Sequence, residues 1–260
     1  MFLLFYSFYR LFKLIFIKFL LNFLNPSDFL PSMTPLASPA KLLSSLEDLK
    51  ISEIRDKVDS RISEFESLKE SISKNKSGST GSRSEKLFSE LCFCIMTANF
   101  NAEKSIRIQK EIGNGFMDLP RQKLAEKLKQ LGHRYPNARA DYIAEARKHR
   151  ISLGKMIKDI NSEADEQKLR GWLAENIRGI GYKEASHFLR NVGFKKSAII
   201  DFHIIDLLVK HGLIKEPKTL TRARYMEIEG ILRGIAEKAG LNLAELDLYL
   251  WYMETGKILK

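Results

Sequence analysis

IRGIGYKEASHFLRNVGFKKSAIID, residues Ile177 to Asp201, joins a Gly-Ile-Gly turn to a lysine and an aspartate 18 residues further on. Glycines at 179 and 181 let the backbone turn tightly and leave N–H groups uncovered, so a phosphate can approach the start of the following helix. The turn therefore reads as a phosphate grip. Lys183 falls in the first turn of that helix, where the positive end of the helix dipole disfavours an ammonium and favours a neutral, nucleophilic amine. Asp201 precedes FHIIDLLVKHG, a short amphipathic run, so it either caps that helix or carries a carboxylate to the lysine. An amine and a carboxylate together suit attack at a sugar carbon.

Local pattern alone keeps plainer readings open. Lys183 shares a polar face with His187 and Arg190 while Ala185, Phe188, Leu189 and Val192 supply apolar contacts, which also fits a solvated lysine. Asp201 as a simple N-cap is equally consistent. His187 and His203 read as structural or phosphate-facing rather than as metal ligands, because no second ligand cluster accompanies them. No metal site is expected.

The chain has 260 residues, enough for one substantial core or two small lobes. Its formal net charge of +11 favours a polyanionic partner, either nucleic acid or an anionic membrane. Cys92 and Cys94 are the only cysteines, too few for a disulfide framework, a four-cysteine zinc site or an iron–sulfur cluster. A reducing, cytoplasmic compartment is the expectation.

Residues 2–24, FLLFYSFYRLFKLIFIKFLLNFL, are long and apolar enough for a spanning or interfacial helix, although Arg10, Lys13 and Lys18 interrupt them. No small-residue cleavage site follows. The segment consists largely of residues with A/T-rich codons, as upstream non-coding DNA does when a start is assigned too early, and Met33 is a plausible start. A misassigned start, a membrane-associated helix and a soluble extension all remain open. Residues 1–40 are accordingly set apart from a domain spanning 41–260.

Within that domain Ile51, Ile54, Val58, Ile62, Phe65, Leu68 and Ile72 recur at steps of three and four, predicting one long helix over 46–72. The segment 74–84, KNKSGSTGSRS, reads as a flexible polar loop. Helices are predicted at 85–97, 101–113, 120–131, 137–149, 164–177, 183–192, 202–211, 219–239 and 242–254. No strand pattern is visible, so the fold class is all-α.

The hairpin, lysine and aspartate resemble the signature of the helix-hairpin-helix DNA glycosylase superfamily to which endonuclease III belongs, although the loop Gly193-Phe194-Lys195-Lys196 lacks the proline often found there. Three further segments narrow the resemblance to the compact archaeal-type 8-oxoguanine DNA glycosylases: Leu87 to Glu103, Gly132 to Arg147, and Trp251 to Lys260. The resemblance implies two helical lobes with the hairpin and Asp201 at the cleft between them. It implies a bifunctional base-excision enzyme on double-stranded DNA carrying 8-oxoguanine or abasic sites, with Lys183 and Asp201 catalytic and no cofactor. A monomer is expected, cytoplasmic and associated with the nucleoid. By the same resemblance Lys260 contributes to telling 8-oxoguanine from guanine, its terminal carboxylate being a sensible acceptor for the N–H at position 7. Trp251 would stack on the flipped base, with Tyr135 a weaker candidate for the opposite face, and Asn99 and Phe100 would fill the vacated duplex position. Competing readings are a frayed tail for Lys260, buried core for Trp251 and helix capping for Asn99. Another lesion specificity, or DNA binding without catalysis, remain alternative functions.

Overall fold

A computed structural model describes residues 38–73 and 80–260, and Ser38–Lys260 form one compact unit. The apolar segment 2–24, Met33 and residues 74–79 of the polar loop lie outside the described residues. Among the described residues all regular structure is helical. The chain runs through α1 (Pro39–Lys50), α2 (Ile54–Ser73), α3 (Thr80–Thr97), α4 (Ala102–Ile112), the short α5 (Gly115–Asp118), α6 (Arg121–Gln130) and α7 (Pro136–Ala146). A 3-10 turn then leads into α8 (Arg150–Lys158), followed by α9 (Glu163–Asn176), α10 (Tyr182–Asn191), α11 (Phe202–Lys210), α12 (Arg222–Lys238) and α13 (Leu243–Thr255).

Two apolar clusters organise these helices. The first is built on α3, whose residues Leu87, Phe88 and Leu91 to Met96 are buried, as expected where the last two turns of a helix are apolar on every side. Helices α4 to α10 pack around it, and Cys92 and Cys94 lie fully buried within it. The second cluster joins α1 and most of α2 to α11, α12 and α13 through Leu42, Val58, Ile204, Leu208, Ile228 and Leu248. The hairpin belongs to the first cluster and the helix after Asp201 to the second, so the residues between Asn191 and Phe202 cross from one to the other.

Side-chain caps set several boundaries. Ser38, Asn101, Ser162, Asp201 and Thr221 each accept a hydrogen bond from a backbone N–H in the first turn of the helix they precede. Asn242 and Glu245 form a reciprocal capping box at the start of α13.

Three expectations need correction. The long helix over 46–72 is two helices, because the Ser52 hydroxyl donates to Leu49 O at 2.8 Å and accepts from Ile54 N–H at 3.2 Å, turning the chain between them. Ile51 therefore lies at the break, 87% exposed, and does not join the apolar face. Residues Thr80 to Ser84 of the expected loop belong to α3. Helix α8 was not predicted: Gly154 at its middle weakens local propensity by about 1 kcal/mol relative to Ala. Burial of Leu153 and Ile157 in the first cluster overrides that preference.

Candidate active site

The hairpin begins where Ile177 leaves α9, its N–H still donating to Leu173 O at 3.0 Å, and Ile180 N–H closes the turn on Ile177 O at 3.1 Å. Ile177 and Ile180 are buried, which anchors the turn in the first cluster. Gly179 has φ +87°, and a Cβ there would collide with the Tyr142 ring, lying 2.9 Å from Cε2. Both backbone angle and space thus require glycine at this position. The Arg178 guanidinium sits over the Tyr142 ring at 4.9 Å, so a cationic side chain accompanies the turn.

Gly181 differs from expectation. Its N–H is not uncovered, because it donates to Glu184 Oε2 at 3.2 Å. The carboxylate three residues into a helix can reach back to the cap N–H, and here it does. The N–H groups of the first helical turn, from Tyr182 and Lys183, have no intrahelical acceptor and remain the donors that a phosphate can meet.

Lys183 is a quarter exposed and lies 3.8 Å from Glu184 Oε1, a long ion pair that leaves its amine accessible. Asp201 caps α11: its Oδ1 accepts from Ile204 N–H at 3.1 Å, leaving Oδ2 free of that bond. Capping and a second task at the same residue are geometrically compatible.

A buried pair beneath these residues ties them together. Asp247 of α13 and Arg190 of α10 form an ion pair across the two clusters, both nearly excluded from solvent. Burial pushes the Asp247 carboxyl upward, Arg190 opposes that, the Asp201 charge adds to it, and Lys183 pulls it down. Asp247 therefore lies within electrostatic reach of both Lys183 and Asp201. An unpaired buried carboxylate would be costly, and Arg190 offsets that cost.

The chain leading to Asp201 is fastened residue by residue. Glu166 accepts from Lys196 N–H at 3.1 Å and from the Ser197 hydroxyl at 2.7 Å. Glu229 accepts from Ala198 N–H at 2.8 Å and from fully buried Arg170 at 3.0 Å. The Tyr225 hydroxyl donates to Ala198 O at 2.7 Å and accepts from Ile200 N–H at 3.2 Å. A segment without regular structure thus has its backbone groups satisfied by side chains, which fixes where Asp201 starts its helix.

The residues expected to read the base occupy three places. Trp251 is half-buried on α13, edge-on to His203 at 5.0 Å, and His203 in turn packs on Phe202 at 4.0 Å. The Trp251 indole nitrogen is buried with no hydrogen-bond partner among the described residues. Gly256, at φ +69°, ends α13 and turns the chain back. The tail that follows is tied down: Lys257 pairs with Glu103 at 2.8 Å, Ile258 packs on the second cluster, and Lys260 Nζ lies 2.6 Å from Glu90 Oε1.

Tyr135 lies elsewhere, before α7, with Arg134 and Arg139 over its ring at 5.1 and 5.7 Å. No contact recorded among the described residues joins it to Trp251. Asn99 is exposed with φ +58°, the one non-glycine residue with positive φ among those described. That φ, two residues past Thr97, is the left-handed conformation that commonly ends a helix, while Asn101 caps α4, accepting from Lys104 N–H at 2.9 Å. Phe100 is half-buried against His133, ring centroids 4.2 Å apart. His133 also accepts from Tyr135 N–H at 3.0 Å, so Phe100 and Tyr135 share a support. Arg139 reaches Ala98 O from the same side and feels the charge of Glu184, linking this loop to the hairpin.

Sequence reasoning missed Glu90, His133, Arg139, Tyr142, Glu184 and Asp247. One signal was available: Asp247 is the one charged residue in the run LDLYLWYM, Leu246 to Met253, and a carboxylate on a helix with that much apolar surface needs a buried cation. Among the described residues no group of three or more His, Cys, Asp or Glu side chains is placed to hold a metal ion.

Comparison with known proteins shows the family. The family model described as 8-oxoguanine DNA glycosylase matches residues 58–241. The 8-oxoguanine DNA glycosylase/AP lyase of Methanocaldococcus jannaschii is 55% identical over 221 residues, covering 84% of this chain and 99% of that protein. The Thermotoga maritima protein of the same name is 45% identical over 219 residues, covering 84% of this chain and 98% of that one. The crystal structure of the M. jannaschii glycosylase/lyase in complex with a 15mer DNA containing 8-oxoguanine superposes with a TM-score of 0.75 at 52% identity, covering 84% of this chain and 99% of that one.

Proposed function

Because the chain belongs to the 8-oxoguanine DNA glycosylase family, we propose that it excises 8-oxoguanine from double-stranded DNA and then cleaves the strand at the abasic site, with Lys183 as the nucleophile. The observation that carries this reading is the placement of Lys183 at the start of α10 and Asp201 at the start of α11, both within electrostatic reach of the buried Arg190–Asp247 pair.

The target nucleotide leaves the stack at a cost of a few kcal/mol, and the hairpin holds the bent backbone meanwhile. Lys183 Nζ forms a bond to the sugar C1′ as the bond from C1′ to the base breaks, and the base departs with that electron pair and takes up a proton. Opening of the sugar ring, with its oxygen protonated, leaves an imine between Lys183 and C1′. The imine acidifies the C2′–H bond; loss of that proton forms a C2′–C3′ double bond and expels the 3′ phosphate. Asp201 stabilises the positive charge developing on the sugar and receives the proton that the amine must shed.

Base reading follows the same logic. 8-Oxoguanine carries an N–H at position 7 where guanine has a lone pair, so an acceptor there bonds one and repels the other. A main-chain oxygen of Lys260 is the acceptor in this reading, Trp251 stacks on the base, and Asn99 and Phe100 enter the duplex. Tyr135 contacts the flipped nucleotide from the side of that loop. The first-turn N–H groups after Gly179 and Gly181 hold phosphate. The enzyme acts as a monomer, without metal or redox cofactor, in the cytoplasm on nucleoid DNA. Among the described residues no helix is long and apolar enough to cross a membrane.

Borohydride trapping on duplexes carrying 8-oxoguanine, guanine or an abasic site tests the reading, with Lys183→Gln beside the parent. A covalent adduct on the 8-oxoguanine and abasic duplexes, absent from the variant, is the expected result. An adduct on the abasic duplex alone would discard 8-oxoguanine as substrate, and none at all would reduce the protein to a DNA-binding fold.

A further inference from the structure

We propose that Glu90 is a positioning residue for base recognition: by holding the Lys260 ammonium, it sets the Lys260 main chain where the flipped base is read. The inference rests on the reading of Lys260 given above.

Lys260 is not a frayed tail. Its Nζ lies 2.6 Å from Glu90 Oε1 and 4.6 Å from the centre of the Phe93 ring, one turn along α3. Both charged side chains are largely shielded, at 17% and 15% exposure, so the pair is less weakened by solvent than a surface ion pair. On the other side stands His187, one turn beyond Lys183 on α10 and edge-on to Phe93 at 5.5 Å. His187 is buried, neither ring nitrogen makes a hydrogen bond within ordinary geometry, and burial holds it neutral. The Lys260 backbone is near enough to favour its protonated form, although burial and the neighbouring Arg190, Lys183 and Lys260 charges outweigh that. The Lys260 main chain is therefore beside the helix that carries the nucleophile.

Glu90 is itself fixed. Gln109 donates to its Oε1 at 3.1 Å and Asn191 to its Oε2 at 3.2 Å. Asn191 Oδ1 in turn accepts from Arg190 at 3.0 Å, and Arg190 pairs with Asp247. A continuous polar chain runs from Lys260 through Glu90, Asn191 and Arg190 to the carboxylate beneath Lys183 and Asp201. The position of the tail is thereby referenced to the position of the chemistry. A group that must discriminate one N–H from one lone pair tolerates little displacement, and a shift of about 1 Å can cost about 100-fold in rate.

The test measures single-turnover base release from 8-oxoguanine and guanine duplexes, and cleavage of a preformed abasic site, which has no base to read. Four full-length proteins, the parent, Glu90→Gln, Lys260→Ala and the double variant, are compared with a chain ending at Leu259. We expect Glu90→Gln to slow 8-oxoguanine release by about 10- to 100-fold. Cleavage of the abasic duplex falls far less. Lys260→Ala behaves alike, and the double variant is no slower than either single one, because both remove the same contact. If the double variant multiplies the two losses, or if abasic cleavage by Glu90→Gln falls as far as base release, Glu90 is merely structural and the proposal is overturned. It is also overturned if Glu90→Gln is unimpaired while the chain ending at Leu259 loses selectivity, an outcome that leaves the reading of Lys260 standing. A chain ending at Leu259 that keeps full selectivity removes that reading and the proposal with it.

Discussion

Asp201 is a helix cap and, in the proposed mechanism, also a catalytic charge, and one substitution separates the two. Its Oδ1 caps α11 by accepting from Ile204 N–H, and asparagine caps as well as aspartate does. Asp201→Asn therefore leaves thermal stability within about 0.5 kcal/mol of the parent, while base release falls by about 100- to 10,000-fold through loss of the charge. Asp201→Ala loses the same activity and about 1 kcal/mol of stability besides. Thermal denaturation beside single-turnover excision reads both, and an Asn variant with full activity would leave Asp201 as a cap alone. The placement of Lys183 in a first helical turn and of Asp201 at a cap was legible in the sequence because its signals are local: a glycine turn, a helix start, a cap before an amphipathic run. The residues that support them were not. Arg190 finds Asp247 57 residues away, Lys260 finds Glu90 170 away, and His133 meets the Met96 carbonyl 37 away. Pairings at such separations are made by packing, which a single sequence does not display.

Helices were legible where apolar periodicity and caps agreed. Their limits failed where a local hydrogen bond or a distant packing face decided: Ser52 divides one expected helix, and α8 exists because α3 receives Leu153 and Ile157. The loop before α7 shows the same dependence and has a measurable consequence. His133 Nε2 lies 3.1 Å from Met96 O while Nδ1 accepts from Tyr135 N–H, a pattern satisfied only by the neutral ring with its proton on Nε2. Burial pushes its pKa down to about 4. The unfolded chain takes up this proton near about pH 6.5, so between those values it binds more protons than the folded one. The stabilisation is thus present in full above about pH 6.5 and declines as pH falls, by roughly 3 kcal/mol at pH 4. His187, also held neutral by burial, acts in the same direction. Denaturation midpoints from pH 7 to pH 4.5 should fall more steeply for the parent than for His133→Gln. Parallel curves would refute a neutral His133.

At the scale of the whole molecule, the all-α class followed from the absence of any alternating pattern, whereas the two lobes came from the resemblance. Periodicity marks which face of a helix is apolar, but it does not say which helices share a core. The structure answers that through two clusters, with Arg190 and Asp247 paired across them. The net charge of +11 was legible as a taste for polyanions, without naming DNA. The burial of Cys92 and Cys94 in the α3 core bears on the conditions under which the protein must work. Thiolates, not thiols, are readily oxidised, and burial pushes both groups far toward the thiol form. Intact native protein should therefore resist peroxide and leave both cysteines unlabelled by an alkylating reagent until denaturant is added; rapid labelling of the folded protein would contradict this. A repair enzyme for oxidised guanine is needed most when the cell is most oxidising. Placing its two sulfhydryls inside the core withdraws them from the same stress that makes its substrate.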